Sequence, residues 1–190
     1  MDKVKNINIK PRLRLIRGGR FSRFIIGSVE IVVAPEDKPP FKIDAVAYEE
    51  DTFLVLSAPV ELNEPPESLT RLLTELREMQ PKKPGSVLAK AGSPLRLLAV
   101  IHDLNQEPSW KEEWVAKALE GIFRETEQRK LHALALPFLG TRHGSLGKES
   151  FLILLRSILE KTVTHSLKRI WLMLPPDIDP KIITVLNPKH

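Results

Sequence analysis

Two places in this chain bring together residue types that could do chemistry. One is Leu134 to Phe151, LALPFLGTRHGSLGKESF, where Gly140, Gly144 and Gly147 and the basic pair Arg142 and His143 stand between an apolar run and a helical pattern. Backbone N–H groups in a glycine turn, reinforced by the positive end of a helix, form an anion site without needing a charged side chain. Arg142 adds a guanidinium that can grip a phosphate through a bidentate fork, and His143 adds a ring nitrogen. The candidate ligand contacts are therefore Arg142, His143, Gly144, Ser145, Leu146 and Gly147. The same glycines also suit a loop that only has to turn from a strand into a helix, and the residues alone allow both. The other place is the acidic run Glu49, Glu50, Asp51. Ionised carboxylates only accept hydrogen bonds, so this run would repel a pyrophosphate if it lined the same cleft.

Composition narrows the chemistry further. The chain has no cysteine, which removes disulfides, thiolate zinc sites and cysteine nucleophiles. Its five histidines are scattered, so no metal is expected, and no cofactor is called for. The net charge of +5 is uneven, with eight Lys and Arg residues up to Arg23 against Asp2 alone, leaving the rest slightly acidic. Residues 1–27 thus read as a basic leader with the pattern of an edge hairpin, suited to solubility or to contact with nucleic acid or an acidic protein. No apolar run reaches the roughly 18 residues of a membrane helix, because Glu30 and Arg156 interrupt the longest ones. The basic N-terminus lacks a signal-peptide core, and a cytoplasmic location is the expectation.

The elements that must position these residues follow from periodicity. Gly18 and Gly19 mark a hairpin turn, and SVEIVVA (28–34), KIDAVAY (42–48) and TFLVLSA (52–58) read as strands. A helix follows Pro65 and Pro66, with Leu69, Leu72, Leu73 and Leu76 on one face. SVLAKA and RLLAVIHDL read as strands, ahead of a helix for which Ser109 and Glu112 form a capping box. HALALPF and RIWLMLP are buried strands, KESFLILLRSILEKTV is a helix, and DPKIITVL is a short closing helix. Alternating strands and helices in the second half require a largely parallel sheet with helices on its faces. Ligands of such sheets sit at the carboxyl ends of strands, which is where the glycine loop falls.

The order of KIDAVAY, GSVLAKAGSPLRLLAVIHDL, Trp110 before a long helix, HALALPFLGTRHGSLGKESF and RIWLML resembles a macro domain, a module that typically binds ADP-ribose. The resemblance spans roughly Ser28 to Leu186, giving a macro-like α/β domain over 28–190. It implies a three-layer α-β-α sandwich with a mixed, largely parallel sheet. LALP and Gly144-Ser145-Leu146-Gly147 match the family's strand end and Gly-x-x-Gly loop, with about two extra residues that add Arg142 and His143. By the same resemblance Asp37 takes the place of an aspartate that recognises adenine, although Glu36 and Lys38 depart from the family's pattern around it. Tyr48 stands where the family has the first asparagine of Asn-Ala-Ala-Asn, Asp51 stands at the last, and the glycine-rich loop that should follow is missing. His102 matches a histidine at a strand end, where a structural role is the commoner one.

Three functions fit. The first is a macro-like module that binds ADP-ribose or a related nucleotide through the glycine loop without turning it over. The second is a degenerate fold acting as a scaffold, with the leader engaging nucleic acid or an acidic protein. The third is a hydrolase of ADP-ribose linkages, with Asp51 as general base aided by His143.

Overall fold

The computed structural model describes residues 22–56, 80–176 and 178–187. The Gly18-Gly19 turn, the helix expected after Pro66 and the leader up to residue 21 lie outside them. One seven-stranded sheet organises the chain: β1 (Ser22–Ile26), β2 (Val29–Pro35), β3 (Ala45–Asp51), β4 (Val87–Lys90), β5 (Leu95–His102), β6 (Ala133–Leu136) and β7 (Arg169–Leu174). Their spatial order is β1-β2-β7-β6-β3-β5-β4. The inner pairings are parallel, and antiparallel β1 and β4 close the two edges. This is the mixed, largely parallel α/β sheet that the alternation of strands and helices requires.

Two helices and a short closing turn complete the described fold: α1 (Glu112–Gln128), α2 (Lys148–Lys161) and a 3-10 helix at Pro180–Leu186. In α1 the residues Trp114, Val115, Ala118, Leu119, Ile122 and Phe123 recur at helical spacing and are all buried. Gly121 lets this helix approach β4, because a Cβ there would lie 2.9 Å from Val87 Cγ2. Both helices share one large core with alternate residues of the central strands, such as Ile31, Val33, Leu97, Ala99, Leu134 and Leu136. A smaller cluster of Ala34, Ala135 and Trp171, joined by Phe41, Ile43, Val46 and Met173, lies apart from that core. No helix among the described residues is long and apolar enough to cross a membrane.

Three expectations need correction. The strand over Lys42–Tyr48 begins three residues later and runs through the acidic residues to Asp51. Asp44, just before it, caps the start of β6: its carboxylate accepts hydrogen bonds from the N–H groups of His132 and Ala133, at 2.8 and 3.0 Å. Thr52–Leu56 is a turn and not the start of a strand, with Leu54 at φ 61°. No capping box forms at α1: Lys111 is the N-cap, without a side-chain cap, and the Ser109 carbonyl instead accepts from the Asp103 N–H at 2.7 Å. A hairpin at the sheet edge turns at Gly27-Ser28 and joins β1 to β2, with Gly27 at φ 59°.

Carboxylates tie the loops of this fold to its frame. Glu127, near the end of α1, accepts from the N–H groups of His165, Ser166 and Leu167, which lead into β7. Burial alone would raise its carboxyl, but those backbone donors outweigh it and hold the group below its ordinary value.

Candidate functional site

Sheet register creates the site. Strands β3 and β6 pair only at Ala45 with Leu134 and Val46 with Ala135, although β3 continues to Asp51. Beyond Val46 the two strands part. A cleft of about 830 Å³ opens there at the carboxyl ends of the strands, lined by Tyr48 and Glu49 on one side and Pro137 and Phe138 on the other. Strand β6 is central in the sheet order, so its following loop, Pro137 to Gly147, sits at the middle of the cleft. To one side are Glu36 after β2 and Met173 and Pro175 from β7 and its exit; to the other are Tyr48 of β3 and Arg96 of β5.

The loop after β6 is built by packing and glycine conformation. Gly140 has φ 77°, and its carbonyl accepts from the Leu146 N–H at 3.1 Å. Leu146 turns its side chain into the core. Gly144 lies against Trp110: a Cβ there would meet the Gly140 carbonyl oxygen at 2.5 Å and the indole at 3.0 Å. Gly147 is the extended N-cap of α2. On this frame Thr141, Arg142, His143 and Lys148 line the cleft. Lys148 is the first residue of α2, so the helix's N-terminal end, with N–H groups that have no partner within the helix, abuts the cleft as well.

The acidic run divides into three environments. Asp51 is fully buried, and its carboxylate accepts from the N–H groups of Phe53, Val55 and Leu56 at 2.6, 2.9 and 3.0 Å. It builds the turn after β3 and does not line the cleft. Glu50 is fully buried too. Glu49 alone lines the cleft, and both its oxygens are engaged: Oε1 lies 2.5 Å from Nε2 of buried His102, and Oε2 accepts from the Gly140 N–H at 3.2 Å. Of the three adjacent carboxylates only Glu49 reaches the cleft, held there by His102 and the Gly140 N–H. Asp103, just past His102, is kept below its ordinary value by hydrogen bonds from the Gln106 side chain and the Asn105 N–H.

Of the candidate residues, Arg142 and His143 come together at the cleft, and His143 stands edge-on to His102 with ring centroids 6.2 Å apart. Gly144, Ser145, Leu146 and Gly147 are not among the lining residues; they shape the loop that presents the basic pair. Asp37 is exposed and also outside the lining, whereas its neighbour Glu36 lines it and pairs with Arg142 across the mouth at 3.7 Å. Asp51, the expected general base, is turned inward. The acidic run was singled out in the sequence, and of it Glu49 lines the cleft; Arg96 and Lys148 were not among the candidates. A signal existed for the lysine, which opens the expected helix KESFLILLRSILEKTV directly after the glycine loop. Arg96 carried none, since its place in the lining depends on where β3 and β6 part.

No family model matches the sequence, and no curated protein matches it significantly. Solved structures do match its shape. The Oceanobacillus iheyensis macrodomain with ADP superposes at a TM-score of 0.58 and 14% identity, over 88% of this chain and 93% of its own. A mutant of that macrodomain with ADPR gives 0.57 and 13%, over 87% and 94%. The macrodomain of Thermus aquaticus DarG gives 0.55 and 16%, over 76% and 98%. The chain has the macro domain fold.

Proposed function

We propose that this macro-fold protein binds a nucleotide of the ADP-ribose type, its phosphates held by the loop after β6 and the N-terminus of α2, without turning the ligand over. The observation that carries this reading is the convergence of Arg142, His143, Lys148 and a helix N-terminus at the middle of a cleft at the carboxyl ends of parallel strands. The similarity to macrodomains solved with ADP and ADPR supports the same ligand class. The glycines serve this site by shaping the loop. Phosphate contact falls to the basic side chains and the helix end. What supports binding without turnover is the place of Asp51, whose oxygens accept from three backbone donors and do not line the cleft.

Calorimetric titration of ADP-ribose, with ADP and AMP as comparisons, tests the reading. Saturable heat is expected with ADP-ribose and ADP, weaker with AMP, and an affinity for ADP-ribose roughly tenfold lower in Arg142→Ala, the loss of one charge-assisted contact. Absence of saturable heat with all three would overturn it.

A further inference from the structure

The phosphate-binding loop sits at the middle of the cleft, so a ligand anchored there has two arms. Strand order β2-β7-β6-β3-β5 puts β6 at the centre of a span of four inter-strand spacings, roughly 19 Å. One arm crosses β7 toward Glu36. The other crosses β3 toward Arg96 of β5, and its chemistry is distinctive. Tyr48 is 37% exposed and lines the cleft there, with the Arg96 guanidinium carbon 5.0 Å from its ring centroid. Leu56, just past β3, also lines the cleft and is itself 39% exposed.

A ribose terminus needs donors and acceptors matched to its hydroxyls. Glu49 at this arm is already engaged by His102 and the Gly140 N–H, so such bonds fall to the Tyr48 hydroxyl and the Arg96 guanidinium. The same two side chains also offer an aromatic face and a guanidinium plane. Both surfaces accept a planar ring by stacking, whatever its hydrogen-bonding edge. The cleft volume of about 830 Å³ lies high in the range that encloses organic ligands, leaving room for a second ring system.

We infer that the β3–β5 arm is a stacking subsite built on Tyr48 and Arg96, and that the ligand is a dinucleotide, two nucleosides joined through a diphosphate, in preference to free ADP-ribose. The inference rests on the phosphate-binding reading above and adds the identity of the second arm.

Diadenosine diphosphate is the probe, since it differs from ADP-ribose by an adenine on the distal ribose. It should bind roughly tenfold more tightly than ADP-ribose, the return of one stacked base. Tyr48→Ala should abolish that advantage and Tyr48→Phe should keep it. Tyr48 is the only tyrosine in the chain, so its ring protons give one assignable signal in a tyrosine-labelled sample. That signal should move upfield with diadenosine diphosphate and stay in place with ADP-ribose. Equal or weaker affinity for the dinucleotide without a tyrosine shift, while ADP-ribose still binds, would overturn the inference and leave the phosphate site standing. Failure of every ligand to bind would overturn both. Should Tyr48→Ala not fold, the wild-type comparison and the tyrosine signal still decide.

Discussion

The loops that leave β3 and β6 border the same cleft and are made in opposite ways. The turn at Thr52–Leu56 hangs on a single buried carboxylate, with three N–H groups converging on Asp51. The loop from Pro137 to Gly147 has no such centre. It is shaped by the positive φ of Gly140, the buried Leu146 side chain and the seat of Gly144 on Trp110, with the Gly140 N–H held by Glu49. In the first loop an acid that resembles a catalytic residue is scaffold. In the second, glycines that resemble phosphate contacts set the loop's packing, and the charged side chains between and after them line the cleft. A residue's chemical type therefore says where it sits only together with the frame that aims it.

The sharpest way to break this contrast is to remove the centre of the first loop. Asp51→Ala leaves three backbone donors without their acceptor in a buried turn, and should cost about 3 kcal/mol or more of stability in urea unfolding. Asp51→Asn keeps an acceptor oxygen and should cost less. If Asp51→Ala kept full stability but lost ligand binding, Asp51 would belong to the site and the contrast would fail. The second loop should show a smaller and more selective response. Gly144→Ala forces a Cβ to 2.5 Å from the Gly140 carbonyl oxygen and 3.0 Å from Trp110, and should cost about 2 kcal/mol. At Gly147 the nearest atom to an added Cβ is Ser150 Oγ at 3.4 Å, so Gly147→Ala should cost below about 1 kcal/mol. Equal costs at the two glycines would mean that the loop is held by something other than its seat on Trp110.

Much of this architecture was legible in the sequence because it depends on local periodicity. The stripe of α1, the continuous apolar runs of β2 and β5 and the glycine loop ahead of α2 each announce themselves within one element. What was not legible depends on relations between elements. The polar residues Glu49 to Asp51 look like a loop in sequence, and they extend a strand because Glu49 finds His102 and Gly140 while Asp51 finds the following turn. TFLVLSA reads as apolar and extended, yet its first residues curl around Asp51. Ser109 and Glu112 have the spacing of a capping box, but the Ser109 carbonyl is drawn to the Asp103 N–H and the helix begins after Lys111. The cleft itself comes from the early end of pairing between β3 and β6, a long-range event that no short motif encodes.

The finest test separates stability from binding within the second loop. Arg142 is 71% exposed, and its partner Glu36 lies 3.7 Å away at 45% exposure. An exposed pair at that separation contributes little to folding, so Arg142→Ala should change stability by less than about 0.5 kcal/mol. The same substitution removes the guanidinium that faces the proposed phosphates, which predicts a clear loss of ADP-ribose affinity in a protein of unchanged unfolding midpoint. Glu36→Gln sharpens the test. Releasing Arg142 from its acidic neighbour should leave affinity unchanged or raise it if phosphate competes with Glu36 for the guanidinium, and should lower it if Glu36 itself positions Arg142 for the ligand. Parallel loss of stability and binding in Arg142→Ala would instead make this arginine part of the frame, as Asp51 is, and erase the distinction between the two loops.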